Sequence, residues 1–372
     1  MGRDTFTRSA YTSASSRFVD TSGPATYRAE QRARKTGKLD ELVDPAGYGV
    51  IRRSLLRFDE LESGLFELTV GTSMPVETRL DTTGSMGGNV DVALKVLPDA
   101  YELCSRVLPG YDLHMATGIF GDKVDDFVLC RPQFEMLAEK IVEQLTLMVP
   151  ERAGGDFPED PHYGLFGGAY LTAAYINRIG LKGYDFTVSD APARDRLSES
   201  QLKRIFGKEV FEKVAANGFQ IDSDDLPTTK QVVQDLLKRA HAFFLQVGSE
   251  GETTRFWNEV FGRDRVIILP STKLLPQVQA VIIGLTEGTL ALDEAKDFLT
   301  SNNVSEADAE RITRSVANIP IGVQATAENY NRRPVKGDLF RDKTDLWPID
   351  PSEVPADVAS DTTDTKEGPA WL

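Results

Sequence analysis

Short apolar runs recur along the middle of this chain, and most are followed by an amphipathic stretch long enough to make a helix. Leu65–Val70, Val76–Leu80, His114–Phe120, Phe127–Cys130, Tyr184–Val188, His241–Val247 and Arg265–Leu269 read as strands, since brief apolar runs bounded by turn formers favour extended backbone. Val90–Val107 places apolar residues at 90, 93, 94, 97, 100, 101, 104 and 107, which is one face of a helix. Pro98 lies inside that stretch and predicts a kink or a break after Leu97. Further helices are expected over 134–148, 162–176, 199–218, 229–239, 252–261 and 272–287. This alternation calls for an α/β fold with a Rossmann-like, mostly parallel sheet and helices on both faces. In such sheets ligands bind beyond the carboxyl ends of the strands. Two short helices follow, Leu292–Leu299 and Ser305–Val316, and they read as a helical hairpin on the domain edge. The second opens on Ser305-Glu306-Ala307-Asp308, close to a capping box with Asp in place of Glu or Gln.

At 372 residues the chain suits one large domain with extensions, or two domains. Residues 1–38 hold eight basic and three acidic residues with few aliphatics, and read as a basic arm that is flexible by itself. Residues 39–75 would form an extension packed on a core domain spanning 76–290, with the hairpin at 291–320. The remainder, 321–372, reads as an extended tail whose last part, from 337, carries three basic and nine acidic residues and four prolines. A formal net charge of −15 argues against nucleic acid or an anionic membrane as a partner, because both need positive surface. The longest apolar stretch, Val278–Leu285, is too short to span a bilayer, which takes about 20 residues. A soluble, cytoplasmic protein is therefore expected. Cys104 and Cys130 read as buried free thiols rather than a disulfide framework.

Chemistry concentrates in three segments. Asp81-Thr82-Thr83-Gly84-Ser85 ends a strand just before a helix and offers a carboxylate and two hydroxyls, hard oxygen donors suited to Mg2+ or Mn2+. The same residues would also serve as an ordinary Ser/Thr-rich helix cap. Gly154-Gly155-Asp156-Phe157-Pro158-Glu159-Asp160 is a second acidic loop leading into a helix. Thr187-Val188-Ser189-Asp190-Ala191-Pro192 sets an Asp at the end of another apolar strand. Three loops at one sheet edge can converge on one ion.

In these segments the chain resembles the von Willebrand factor A family. Its metal-ion-dependent adhesion site combines an Asp-x-Ser/Thr-x-Ser loop, a second-loop Thr and a third-loop Asp. Asp81, Thr83 and Ser85 match the first loop residue by residue, and Asp190 looks like the third-loop Asp. The Gly-Gly-Asp-x-Pro-Glu run at 154–159 and Phe120-Gly121-Asp122 also fit the family's habits. The likeness covers about 76–290, and it departs from the family in the second loop. Thr146 sits inside an apolar helix and Thr172 lies too far along the next, so Asp156 is the expected substitute.

The resemblance implies a non-enzymatic protein-interaction module binding one Mg2+ or Mn2+. Thr83 and Ser85 would ligate directly, while Asp81 and Asp190 hold coordinated waters. A partner protein's Asp or Glu would complete the coordination. Intracellular members often work beside AAA+ ATPases or in larger assemblies, which makes such an ATPase or a homo-oligomer the implied partner. A second reading is a structural subunit tied to others by its basic arm and acidic tail.

A third reading starts from a likeness of the first loop to the Asp-x-Thr-Gly-Thr nucleophile loop of haloacid-dehalogenase-type phosphoryl-transfer enzymes. That chemistry needs a later acidic pair, for which Asp224-Asp225 is the candidate. The histidines His114, His162 and His241 show no zinc spacing, and His162 is expected on a helix surface. Phe243-Phe244 and Phe256-Trp257 read as core. Trp347 and Trp371 in the tail would pack either on a neighbouring subunit or back on the same chain.

Overall fold

Thr72–Asp81 (β1) is a ten-residue strand with every residue buried, and it forms the axis of the sheet. The computed structural model describes residues 7–18, 25–47, 51–53, 57–84, 86, 88–151, 157–248 and 251–354. The other sheet strands are Tyr111–Phe120 (β2), Leu129–Cys130 (β3), Gly183–Ser189 (β4), Ala240–Val247 (β5) and Val266–Leu269 (β6). Their spatial order is β6-β5-β4-β1-β2-β3; all neighbours are parallel except β3, which runs antiparallel to β2 at one edge. This is the strand order of the doubly wound Rossmann sheet, and its direction of winding reverses between β1 and β4. The Rossmann-like α/β architecture expected from the alternation is the one observed.

The strands sort their side chains by the two-residue period of the pleat. Met74, Val76 and Leu80 of β1, Phe186 and Val188 of β4, and Phe243 and Leu245 of β5 enter one core. Against that face lie Asn89–Arg106 (α3), Ala138–Thr146 (α4) and Leu275–Glu287 (α10), through Leu97, Leu103, Ile141, Leu145, Val278 and Val281 among others. Phe244 of β5 and Val266 of β6 enter the core on the opposite side. That side is covered by His162–Tyr170 (α5), Glu199–Phe206 (α6), Val210–Ala216 (α7), Thr229–Leu237 (α8) and Gly251–Phe261 (α9). Phe244 stacks on Trp257 at 4.2 Å, and Phe243, Phe244 and Trp257 are core as expected, while Phe256 is half-buried against it. Cys104 and Cys130 are free and buried, as expected.

The differences from the sequence reading have local causes. The helix α3 runs unbroken through Pro98, which removes one backbone donor without stopping it. The stretch 199–218 divides into α6 and α7 at Gly207, whose φ of +90° leaves the helical region. The helix expected over 162–176 stops at Tyr170, because Thr172–Ala174 turn extended and pair with residues 51–53. The basic segment is also not a free arm over its described length. Arg8–Phe18 (α1) and Ala25–Thr36 (α2) are helical, and Tyr11, Ala14 and Ala33 reach the core. Arg8 is held by ion pairs to Asp99 and Glu102. A low apolar count misled here, since a few small apolar side chains on one helix face suffice for packing.

Two helices, Ala295–Ser301 (α11) and Glu306–Val316 (α12), form the hairpin. Ser305 caps the second by accepting from the Asp308 N–H at 3.2 Å. Near the other end of the same helix, Ser315 accepts from Ile268 N–H at 2.7 Å, which satisfies an edge donor of β6. The described part of the tail is likewise packed on the domain: Leu339–Phe340 pairs with Phe66–Leu68, and the Phe340 side chain is fully buried. Trp347 packs back on the same chain under Arg332, 5.0 Å from ring centroid to guanidinium; Trp371 lies outside the described residues. Among the described residues no helix is long and apolar enough to cross a membrane.

Candidate metal centre

The winding reversal leaves the carboxyl ends of β1 and β4 side by side, and each ends in an acidic segment. Asp81 closes β1 and is fully buried. Its Oδ1 accepts from the Thr83 backbone N–H at 2.8 Å and lies 2.7 Å from Thr83 Oγ1. Its Oδ2 accepts from Ser189 Oγ, the last residue of β4, at 2.6 Å. Ser189 in turn accepts from the Ala191 N–H at 3.1 Å, which shapes the Asp190 turn. From behind, Thr253 of α9 donates to the Asp190 carbonyl at 3.0 Å and Trp257 to the Ala191 carbonyl at 2.9 Å. The third loop is thus fixed from both sides.

The second loop arrives through Glu159. Its N–H donates to the Pro192 carbonyl at 3.1 Å, and its own carbonyl accepts from Arg194 N–H at 3.2 Å. This short parallel bridge carries the Glu159 side chain inward, where only 7% of the residue is exposed. Asp81, Glu159 and Asp190 then present carboxylate oxygens that all lie within 4.8 Å of one another. Thr83 Oγ1 sits between two of these acids, 2.7 Å from Asp81 Oδ1 and 2.6 Å from Glu159 Oε1.

One hydroxyl carries one proton and can donate to one of those oxygens. The other contact needs either a proton on a carboxyl or a cation. Accordingly, burial and then the hydrogen bond and charge of Asp81 push the Glu159 carboxyl far up, to about 10. Glu159 Oε2 is buried with no hydrogen-bond partner among the described residues. Three carboxylates, a hydroxyl and an unpartnered buried oxygen fit a hard divalent cation of the Mg2+ or Mn2+ kind.

Of the five donors expected from sequence, Asp81, Thr83 and Asp190 come together here. Ser85 and Asp156 lie outside the described residues. Glu159 and Ser189 went unselected. Both stand in the segments singled out, but that Glu159 would meet Asp81 is not written in the spacing of the acids in 156–160. The two rejected threonines are engaged elsewhere: Thr172 accepts from Arg131 at 2.6 Å, and Thr146 donates to the Glu143 carbonyl at 2.8 Å. Asp224 and Asp225 are exposed in the connection between α7 and α8, not at a strand end.

A second acidic group adjoins the first. The Lys123 backbone N–H donates to Asp160 Oδ2 at 2.5 Å, which ties the loop after β2 to the second loop. Arg194 Nη1 lies 2.7 Å from Asp160 Oδ2 and 3.8 Å from Asp122 Oδ1. Asp122 N–H donates to Asp125 Oδ2 at 2.6 Å, and burial lifts the Asp125 carboxyl to about 6. His162, expected on a helix surface, is fully buried at the start of α5, 3.7 Å from Asp160 Oδ1. Neither ring nitrogen has a hydrogen-bond partner among the described residues. Burial, with the charges of Arg194 and Lys123, depresses it to about 3, so the ring is neutral at physiological pH. Val124 and Phe157, on the two loops so joined, are 59% and 65% exposed.

No family model and no curated protein matches this chain. Among solved structures, the pilus adhesin SpaC from Lactobacillus rhamnosus GG in its open conformation is similar at 13% identity and a TM-score of 0.39. That match covers 66% of this chain and 34% of the adhesin. The proximal thread matrix protein 1 from the mussel byssus is similar at 9% identity and a TM-score of 0.31, over 58% of this chain and 48% of that one. The chain thus spans less than half of either relative, and at these scores neither likeness assigns it a function.

Proposed function

We propose that this protein is a divalent-cation-binding, protein-recognition domain of the von Willebrand factor A type. Asp81, Thr83, Glu159 and Asp190 are the described donors, and Mg2+ or Mn2+ is the ion. The observation that carries this reading is the convergence of three carboxylates from three loops within 4.8 Å, with one oxygen on Glu159 that has no partner among the described residues. Position supports it too, because the donors sit at the switch point where doubly wound sheets bind ligands. When bound, the ion offers an oxygen-seeking contact point to a partner protein. Exposed Phe157 and Val124 on the adjoining loops supply apolar area for the same partner. Following the resemblance, an AAA+ ATPase or a second copy of the chain is the kind of partner proposed, in the cytoplasm.

Isothermal titration of Mg2+ and Mn2+ into wild type and Asp81→Ala tests the proposal. Wild type is expected to bind one ion, and the variant about 100-fold more weakly, since a carboxylate that holds the ion directly or through a water is lost. A wild-type protein that takes up neither ion overturns it. A pull-down with and without chelator then reads whether partner binding depends on the ion.

A further inference from the structure

We propose a second binding site, at the far end of α5 from the acidic centre: an apolar cleft that takes a lysine- or arginine-bearing segment of a partner protein. It does not depend on the cation reading. Tyr170 ends α5, about 12 Å along the helix axis from His162 at its start. There α5, its neighbour α8 and the connection at 217–228 enclose a cleft of about 590 Å3. Protein ligand sites span roughly 300–1,000 Å3, so the volume suits a ligand.

The floor is apolar. Phe219 meets Tyr170 edge-on with ring centroids 5.3 Å apart, and Ile221 and Leu226 pack on the same core while staying partly open. Its rim is acidic, with Asp222, Asp225 and Asp235 against one lining base, Lys238. Lys238 lies 2.6 Å from Asp235, which also accepts from the Tyr170 hydroxyl at 2.7 Å, so this pair is already matched. The next cation, Arg239, is stacked on the Phe219 ring, 5.0 Å from its centroid. Asp222 and Asp225 are exposed, and among the described residues neither has a Lys, Arg or His within ion-pair distance.

Floor and rim together select the occupant. A purely apolar group would cover the floor but strip water from two carboxylates with nothing in return. An anion would be repelled, and a bare metal ion would leave the floor uncovered. A lysine or arginine side chain satisfies both, with its methylene stem over Phe219 and Ile221 and its charged head at Asp222 and Asp225. Exposed Gln220 and Gln234 on the same rim offer amides to the main chain on either side, which a free amine lacks. Of the acidic pair Asp224-Asp225 that stands out in the sequence, Asp225 has its place here.

The test follows backbone amides of the full chain by transverse-relaxation-optimised NMR. Three blocked peptides serve as probes: acetyl-Ala-Lys-Leu-Lys-Ala-amide and the same peptide with Gln or Glu in place of both lysines. In about 50 mM salt the lysine peptide should shift amides between Phe219 and Lys238 saturably, about fivefold more tightly than the Gln peptide. The Glu peptide should leave them in place. Asp222→Asn combined with Asp225→Asn, both exposed, should cost the lysine peptide about fivefold while amides outside the cleft keep their positions. No shift in the cleft, equal affinity for the Gln peptide, or unchanged affinity in the double variant overturns the proposal. Should the double variant misfold, the peptide comparison on wild type decides. Butylammonium chloride tests the source of the cation: binding as tight as the lysine peptide's would make this a free-amine site and overturn the partner reading.

Discussion

Two groups of buried charge share one face of the sheet, and they differ in balance. Lower on β1, Glu77 and Arg79 meet Asp185 of β4 and Arg131, which follows β3. Arg131 grips Glu77 with two hydrogen bonds of 2.7 and 2.8 Å, and Arg79 pairs with both Glu77 and Asp185. Two cations and two anions close on each other. Burial alone would raise Glu77, yet the Arg131 and Arg79 guanidiniums hold its carboxyl down at about 2. Helix α5 makes room with glycines: a Cβ at Gly164 would fall 2.5 Å from Arg79 Cδ. Two residues further along β1, Asp81 and Glu159 share a single hydroxyl beside Asp190, and Glu159 is pushed up instead of down. Balanced charge fastens the sheet to its helix. The acidic trio, by contrast, brings three carboxylates within 4.8 Å of one another, which is why it is proposed above as a cation site.

The largest expected effect breaks the balanced group. Arg79→Ala leaves Asp185 buried without its guanidinium and should cost about 3–5 kcal/mol in denaturant unfolding. A loss below 1 kcal/mol would erase the distinction between the two groups. Next, Glu159 in chelator is protonated when folded and ionises near 4.3 when unfolded, so the native state binds the extra proton between those pH values. Stability should therefore fall as pH rises, by about 2–3 kcal/mol from pH 6 to 8. Glu159→Gln should flatten that slope, and saturating Mn2+ should raise the wild-type melting temperature far more than the variant's.

His162 carries the opposite sign. Its folded pKa lies near 3, below the unfolded value of about 6.5, so the unfolded chain binds the proton first. Stability should drop by about 2 kcal/mol as pH falls from 6.5 to 5, and His162→Phe should remove that drop. A pH profile unchanged by the variant counts against neutral burial. Smallest of all, Phe157→Ala should shift stability by no more than about 0.5 kcal/mol, because the ring is exposed. Partner capture should weaken while Mn2+ affinity holds; an unchanged capture removes Phe157 from the interface.

Much of the sheet was legible because period-2 apolar runs and helical periods are local properties. All six sheet strands overlap expected runs, from Val76–Leu80 inside β1 to Arg265–Leu269 over β6. The errors fell where a distant contact outvoted local pattern. Thr172–Ala174 left its helix to pair with residues 51–53, and α1 folded onto α4 despite its polar composition. At the site, Asp81, Thr83 and Asp190 were legible because a strand end projects them without further help. Glu159 was not, since a backbone bridge to Ala193, far along the chain, is what brings its carboxylate beside Asp81.

By itself the amino-acid sequence determined the layered α/β architecture and the sheet edge where acids gather, because both follow from short-range periodicity and from turn residues at strand ends. Only the tertiary structure decided how charge is shared out. Whether a buried acid finds an arginine, as Glu77 does, or two more acids, as Asp81 does, depends on which loops are pinned together across the sheet. Electrostatic energy depends on those through-space distances, and spacing along the chain does not contain them.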